Sequence, residues 1–176
     1  MHKLTCSLLI ISLISLLSGC TFFEKKSKKP VYIRIKASEH YTEDIKLETG
    51  DVTIEGNAVV TGRISIANGS LTIGNSVTME APVSMGNGTV NIGSNGQFLQ
   101  AVSVDRGDLQ ASNSNSFHDI TASQGNVRLG SNNSVFGDIG APQGEVSIVN
   151  SNSIEGDITA SRFTQGGNNT ITGSHP

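Results

Sequence analysis

The chain has 176 residues and a formal net charge of −3, and only 15% of its residues are charged. This length indicates a single domain. No basic stripe or cluster occurs after residue 30, and this excludes nucleic-acid binding by an extended positive surface.

The first 20 residues have the pattern of a secretory signal peptide. His2 and Lys3 give a positive start, and an apolar run of about ten residues follows from Leu8 to Leu17. A run of this length is too short to span a bilayer as a mature helix, and it suits the core of a signal peptide. Residues 1–19 are therefore predicted to be removed from the mature protein.

The end of this segment, Leu17-Ser18-Gly19-Cys20, resembles the lipobox of bacterial lipoproteins. The resemblance implies cleavage before Cys20 and lipid on its sulfur and amine, and two or three acyl chains give stable anchoring where one does not. Cys6 would leave with the signal peptide, so no disulfide partner would remain. Because Thr21 rather than Asp follows, the resemblance implies the outer membrane in a two-membrane envelope, and otherwise the plasma membrane. The alternative is an ordinary secretory signal with an incidental cysteine.

Residues 20–30 are predicted to form a tether between the lipidated cysteine and the fold. Four lysines in it are the only dense charge of the chain: Lys25, Lys26, Lys28 and Lys29. One interpretation is attraction to anionic lipid headgroups, at about 1 kcal/mol per lysine near the surface. The other is a solvated spacer. Pro30 ends the tether, and the folded domain is predicted over residues 31–176.

A strand is predicted directly after the tether. Apolar side chains at Val31, Ile33 and Ile35 alternate with Tyr, Arg and Lys side chains, which is the strand period. The strand lies outside the 19-residue repeat that follows it in the chain, so residues 31–43 are interpreted as an N-terminal cap. Such a cap would cover the apolar columns and unpaired edges at the start of a solenoid.

From about Asp44 to Ala160 the chain repeats. Six glycines each open a unit, at spacings of 19, 19, 19, 18 and 19 residues: Gly50, Gly69, Gly88, Gly107, Gly125 and Gly144. An alternating apolar pair follows each glycine: Val52/Ile54, Leu71/Ile73, Val90/Ile92, Leu109/Ala111, Val127/Leu129 and Val146/Ile148. A second pair precedes each glycine and also closes the array: Ile45/Leu47, Ile64/Ile66, Val83/Met85, Val102/Val104, Ile120/Ala122, Ile139/Ala141 and Ile158/Ala160. A third apolar position lies between them: Val60, Met79, Phe98, Phe117, Val135 and Ile154.

Such fixed-period similarity indicates stacked units that bury one another. Each apolar pair has the strand period, and three short strands per unit leave room only for tight corners. The sequence therefore predicts an all-β fold, a single-stranded, three-sided parallel β-helix of six to seven rungs and roughly 30 Å in length. Phe98 and Phe117 are predicted to stack inside it. The period favours a right-handed helix; the left-handed form and a solenoid of another cross-section are the alternatives.

The corners and the C-terminus carry further signals. The 18-residue unit lacks one residue between Phe117 and Ile120, where a corner tolerates the loss and a strand would not. Phe163 is expected to fold over the last rung, and residues 169–173 resemble half a rung. Asparagines after the first strand of each unit are expected to supply positive φ and local hydrogen bonds: Asn57, Asn75, Asn95, Asn113, Asn132, Asn133, Asn150 and Asn152.

The sequence offers little catalytic or metal-binding chemistry, and no cofactor is assigned. No His or Cys spacing typical of a metal site occurs. Asp119, Asp138 and Asp157 share one position in three successive units and would stack about 4.8 Å apart. Like charges at that spacing are expected to raise the carboxyl pKa values or to attract a cation, which makes the column a candidate weak Ca²⁺ site or acid/base column. The simpler interpretation is a repeated turn residue that points into water.

Short motifs in the later units are similar to the rungs of bactofilins. Gly137-Asp138-Ile139-Gly140-Ala141 and Gly156-Asp157-Ile158-Thr159-Ala160 fit the Gly-Asp-Ile-x-Ala pattern, and His118-Asp119-Ile120-Thr121-Ala122 fits it with His for Gly. Bactofilins are bacterial polymer-forming proteins built on a small right-handed β-helix. The resemblance covers roughly residues 50–160 and implies that fold and a tendency to self-associate. The lipobox departs from the family, whose members are mostly cytoplasmic, so a cytoskeletal role is not carried over.

Three functions are consistent with these features. The first is a non-enzymatic envelope lipoprotein, held at a membrane through Cys20, whose rigid β-helix is a scaffold that self-associates through the rod ends. The second is a module that binds cell-envelope or surface polysaccharide with a flat solenoid face. The third is a polysaccharide lyase or hydrolase that uses Asp119, Asp138 and Asp157, which uniform rungs without insertions do not favour. Nucleic acid is not an expected partner.

Overall fold

A computed structural model describes residues 29–176, and every regular element in this range is a β-strand. The strands are β1 (Val31–Ile35), β2 (His40–Tyr41), β3 (Ile45–Leu47), β4 (Gly50–Ile54), β5 (Val59–Val60), β6 (Ile64–Ile73), β7 (Thr78–Met79), β8 (Val83–Ile92), β9 (Gln97–Phe98), β10 (Val102–Arg106), β11 (Leu109–Ala111), β12 (Ser116–Phe117), β13 (Ile120–Ala122), β14 (Val127–Leu129), β15 (Ser134–Val135), β16 (Ile139–Ile148), β17 (Ser153–Ile154), β18 (Ile158–Gln165) and β19 (Thr170–Ile171). They pair in parallel and stack as a β-solenoid of about seven turns, which confirms the predicted fold class. Within the same range there is no helix that could serve as a membrane span.

Each turn has three sides, because three strand segments separated by corners make up one unit. Side 1 follows the repeat glycine, as in β4; side 2 holds the two-residue strands, as in β5; side 3 precedes the next glycine, as in residues 64–66. Strands β6, β8 and β16 pass through the glycine corner and contribute to side 3 of one turn and side 1 of the next. Sides 1 and 3 form an 11-stranded sheet, and side 2 forms an 8-stranded sheet.

Partner residues in neighbouring turns are usually 19 positions apart, as in Val52 opposite Leu71. On side 2, Phe98 pairs with Phe117, 19 positions later. On the following side 3, Val102 pairs with Ile120, only 18 positions later. The missing residue therefore lies at the corner after Phe117, as predicted. Because the loss falls between strands, every later side chain keeps its inward or outward orientation.

The predicted apolar columns fill the interior. Among the inward positions predicted from the repeat, none is more than 6% exposed except Leu47 and Ala160, which lie at the two ends and are partly buried. The rings of Phe98 and Phe117 stack with centroids 4.8 Å apart and planes inclined by 17°, which confirms the predicted aromatic step. Each buried Val, Ile, Leu or Phe side chain contributes about 1.5–3 kcal/mol, so the columns are the main source of stability.

The N-terminal strand belongs to the repeat, contrary to the prediction. β1 pairs with β4, and Val31 lies opposite Gly50, 19 positions later. β2 pairs with β5 at the same spacing. Residues 31–43 are therefore part of a first turn rather than a segment outside the frame. The repeat is hidden in the sequence because Val31 occupies the position that glycine holds in the next six turns.

The last turn is shortened, and its aromatic residue points inward. β18 pairs with β16 at a spacing of 19 as far as Ala160, and at 17 from Arg162 onward. Phe163 therefore continues the inward column of Val146 and packs against the core at the last complete turn. Strand β19 completes side 2 at the same spacing of 17, within the predicted half rung. The ring of His175 packs against Phe163, with centroids 5.5 Å apart.

The repeat glycines are required by the close approach of successive turns. Gly88 has a φ of +140°, and a Cβ at this position would lie 1.7 Å from the carbonyl oxygen of Gly69. No side chain fits there unless the two turns separate. The same overlap recurs at the equivalent glycines, which explains the fixed period of the sequence.

Candidate functional site

Cys20, the predicted lipidation site, lies outside the described residues, as do the lipobox and most of the lysine-rich tether. Lipid attachment therefore stays a prediction from the sequence. The sites that the structure does describe lie on the corners, on the sides and at the two ends of the solenoid.

The three aspartates stack in one column, as predicted, at the corner between sides 2 and 3. Each carboxylate accepts a hydrogen bond from a backbone amide of the next turn. Asp138 N donates to Asp119 Oδ1 at 2.9 Å, and Asp157 N donates to Asp138 Oδ1 at 2.9 Å. Ser174 N donates to Asp157 Oδ1 at 2.7 Å. The column therefore links four successive turns.

Backbone hydrogen bonds are the main influence on the pKa values of Asp119 and Asp157. The amide of Asp138 holds the pKa of Asp119 below its ordinary value, against the opposing effect of partial burial and with help from His118. The amide of Ser174 likewise lowers the pKa of Asp157. The prediction that stacking raises these pKa values is wrong for Asp119 and Asp157, because each carboxylate has a backbone donor of its own.

The glycine of the Gly-Asp pairs makes room for the carboxylate of the preceding turn. A Cβ at Gly137 would lie 2.0 Å from Asp119 Oδ1, which excludes a side chain. The turn before has no residue at this position, because its corner is one residue shorter and His118 aligns with Phe136. Ala101 lies beneath Asp119 there, so no carboxylate needs the space. The Gly-Asp-Ile motif is thus explained by packing and hydrogen bonding within the solenoid.

The same contacts leave the column without the features of a metal site. Residues 29–176 contain no group of three or more His, Cys, Asp or Glu side chains placed to hold a metal ion. The imidazole of His118 is held by its neighbour, with Nδ1 2.7 Å from Asp119 Oδ2. These observations favour the simpler interpretation of the column as a repeated corner residue.

A second ladder, inside the solenoid, was not predicted. Asn115, Asn133 and Asn152 are buried at the corner between sides 1 and 2, at most 2% exposed. Each Oδ1 accepts a hydrogen bond from the amide one turn earlier, from Gly96 N to Asn115 at 2.7 Å and onward along the column. Every buried side-chain nitrogen or oxygen of the described residues has a partner. Recurrence of Asn at one position in successive units is the signal that identifies such a ladder.

A short apolar ridge runs beside the aspartate column. Leu99 and Phe136 are 52% and 55% exposed, and His118 occupies the same position in the turn between them. The equivalent position is Glu in the flanking turns, at Glu80 and Glu155. Exposed apolar side chains in a row are typical of contact surfaces. The sequence did not reveal the ridge because this position varies from unit to unit.

The two ends carry a more regular apolar pattern. Six hydrophobic side chains pack against the core and yet stay partly exposed in the described chain, and all six belong to terminal strands. The N-terminal end has Ile33, Tyr41 and Leu47, and the C-terminal end has Phe163, Ile171 and Ala160. Each end thus has one such residue on each of the three sides.

Comparison with known proteins adds no family. No protein-family model matches the chain, and no curated protein or solved structure is significantly similar to it. The class that the structure defines is a parallel β-solenoid with ladders of polar side chains at its corners and apolar columns whose end residues stay partly exposed within residues 29–176.

Proposed function

We propose that the protein is a non-enzymatic, lipid-anchored component of a bacterial envelope, whose rigid solenoid associates end to end as a scaffold. The observation that carries this proposal is the matched apolar pattern of the two ends. A solenoid stabilises each turn only through its neighbours, so an uncapped end favours a further turn.

The two ends are complementary by column. Ile33 begins the inner side 1 column that ends in Phe163, because each intervening residue pairs in register. On side 2 the column runs in the same way from Tyr41 to Ile171. A second copy placed head to tail would continue these columns and bury the N-terminal end of one copy against the C-terminal end of the other.

The backbone supports the same arrangement. Strands β2 and β19 are the outermost strands of the side 2 sheet. An edge strand presents unpaired N–H and C=O groups to any strand that approaches it. Since all turns are parallel, head-to-tail contact lets the added strand pair as the internal ones do.

The sequence supports the envelope location. The lipobox at residues 17–20 implies lipid on Cys20, and the four tether lysines suit a membrane surface with anionic lipid. The bactofilin-like rung motifs support self-association, although the lipobox argues for a place outside the cytoplasm. A role of the aspartate column in catalysis is less favoured, because its carboxylates accept hydrogen bonds from the backbone.

The test uses residues 21–176, which lack the lipid, with light-scattering mass and negative-stain microscopy over a range of concentrations. We expect oligomers or filaments in the wild type and a monomer in both Ile33→Lys and Ile171→Lys, since each substitution places a charge in an end column. Ser84→Lys, on the exposed surface of side 3, is the matched control and should associate as the wild type does. A wild type that stays monomeric at high concentration would remove self-assembly from the proposal.

A further inference from the structure

We propose that side 1 carries a binding groove for a linear, uncharged polysaccharide. The groove is an open depression with a volume of about 400 Å³, and its lining residues follow one another along the solenoid axis. Its wall is one outward column, in which Thr72, Asn91, Gln110 and Arg128 follow one another in register. It extends from the turn of Thr72 to that of Val149, which is roughly 20 Å at the usual strand spacing.

The groove exists because glycine occupies two positions of the next column, in which Ser112 and Val149 fill the others. Gly93 and Gly130 line its floor together with the backbone of the side 1 strands. Neither position can carry a side chain, since a Cβ would lie 2.5 Å from Asn75 Oδ1 at Gly93 and 2.4 Å from Asn113 Oδ1 at Gly130. The side chains of Asn75 and Asn113 at the corner therefore keep the floor free of side chains at these two turns.

The wall residues have free hydrogen-bonding groups. Within residues 29–176, the side chains of Asn91, Gln110 and Arg128 form no hydrogen bond or ion pair with the chain. This contrasts with the asparagines of neighbouring columns, such as Asn126, whose Oδ1 accepts from Glu145 N. Two amides and a guanidinium at successive turns thus supply a row of donors and acceptors for a ligand.

The remaining lining fits a sugar chain better than a protein segment. Sugar rings combine hydroxyl edges with apolar C–H faces, and the groove pairs its polar wall with the apolar side chain of Val149, which is 41% exposed. The groove lies on the face of a sheet, so a peptide strand would find no backbone edge to pair with. The ligand is linear because the groove follows the axis.

Charge favours an uncharged polymer. Arg128 is the single charged residue that lines the groove, and a second cavity beside it places Asp108 and Glu145 around Gln110 and Arg128. The flanking carboxylates offset the guanidinium and would repel a polyanion. This inference does not depend on end-to-end association, because both ends of the rod lie outside the groove.

The experiment titrates three soluble probes into the wild-type protein and follows binding by calorimetry: chitohexaose, cellohexaose and a hexagalacturonate. We expect saturable binding of at least one neutral probe. In Gln110→Ala/Arg128→Ala the affinity should fall about tenfold or more, as expected for the loss of one or two hydrogen bonds. Ser84→Ala/Ser103→Ala on side 3 is the matched control and should bind as the wild type does.

Three outcomes would overturn the proposal. They are no saturable binding of either neutral probe at millimolar concentration, equal affinity in the groove variant and the wild type, and binding of the hexagalacturonate alone. Circular dichroism of each variant establishes that it is folded, so a loss of affinity reports on the groove. The oligomeric state, measured in the same samples, separates this result from the scaffold proposal.

Discussion

Single residues at the corners set the distance between turns. Each turn has one residue other than glycine with positive φ, always Asn or Ser, at Ser38, Asn57, Ser76, Asn95, Ser114, Asn132, Ser151 and Asn168. Their side chains form no hydrogen bond within residues 29–176, and their backbone amides hold the corner instead, as where Asn57 N donates to Asn75 O at 2.9 Å. The glycines have a different role, since they admit the carbonyl oxygen of the turn below. Asn and Ser thus mark the corner between sides 1 and 2, and glycine marks the corner between side 3 and the next side 1.

Replacing a corner glycine is expected to be far more costly than replacing a strand glycine. In Gly88→Ala the new Cβ would overlap a backbone oxygen, and we expect the free energy of unfolding to fall by about 3 kcal/mol. Gly140→Ala is the control, because its Cβ would lie 3.5 Å from Thr121 Cγ2 in ordinary contact. That variant should be unchanged or stabilised by about 0.5 kcal/mol. Urea unfolding measures both, and equal losses would contradict the role given to the corner glycines.

The aspartate column makes stability depend on acid pH. The pKa values of Asp119 and Asp157 are lower in the folded protein than in the unfolded chain, where Asp titrates near about 3.9. Their contribution is therefore fully present above that value and is lost as the pH falls through the folded-state pKa values. In Asp119→Asn/Asp157→Asn the side chains still accept the same amides but no longer titrate.

We expect this double variant to lose less stability than the wild type between about pH 5 and pH 2. Urea unfolding at each pH gives the two slopes. Asp105→Asn, which removes an exposed carboxylate of side 3 that accepts no amide of a neighbouring turn in the described chain, is the control and should follow the wild type. Parallel slopes for all three proteins would show that the column does not govern acid stability.

At the scale of elements, the apolar period predicts nearly every strand. The inward columns, the aromatic step and the short corner after Phe117 all follow from the spacing of Val, Ile and Leu. The sequence does not show that the first turn belongs to the repeat, because Val31 occupies its glycine position. It does not show the register of the last turn, because two residues are missing at the glycine corner of that turn. Both turns end the stack of described residues, so each pairs with a described turn on one side only, and the constraint that produces the period is weaker there.

The candidate sites were harder to predict than the strands. The stacking of the aspartates follows from the register of the repeat. The direction of the pKa change depends on whether a carboxylate accepts a hydrogen bond from the backbone of the next turn, which the sequence does not show. The asparagines illustrate the same limit. Asn57 has positive φ as expected, Asn75 accepts an amide of the next turn, and Asn133 is buried. Three environments for one residue type are set by one- or two-residue differences in corner position.

One inserted residue should distinguish corners from strands. A glycine inserted after His118 restores a 19-residue turn. We expect the free energy of unfolding to fall by less than about 1 kcal/mol, because one extra loop residue changes the free energy of the fold very little. A glycine inserted between Val127 and Arg128 would turn Leu129 outward and should cost about 2–5 kcal/mol. Thermal unfolding followed by circular dichroism compares the two. Equal tolerance would mean that register is not fixed by the inner columns.

For the whole molecule, the position of the proposed lipid anchor determines whether a second copy can reach the N-terminal end of the rod. The described chain begins beside the first turn, so a lipid on Cys20 would hold the N-terminal end near the membrane. The residues from 21 to 30 span at most about 35 Å when extended, which is close to the length of the rod. That reach leaves room for a neighbour to contact the N-terminal end.

Lipid attachment itself is open to a direct test in cells. We expect a clickable palmitate analogue to label the wild-type protein and to leave Cys20→Ala unlabelled, since this cysteine is the acceptor that the lipobox implies. Cys6→Ala is the control and should be labelled as the wild type is, because residue 6 lies in the segment predicted to be removed. Equal labelling of wild type and Cys20→Ala, or none of either, would end the lipoprotein proposal.

The uniform turn has a consequence for how the length of the protein can change. Every 19-residue unit repeats the same corners and adds one step of about 4.8 Å. Duplication of residues 69–87 would therefore lengthen the rod by one step and leave both termini and all three faces as they are. The distance between the two ends of the solenoid can therefore change only in whole steps of one repeat unit, and the number of units in the gene sets that distance.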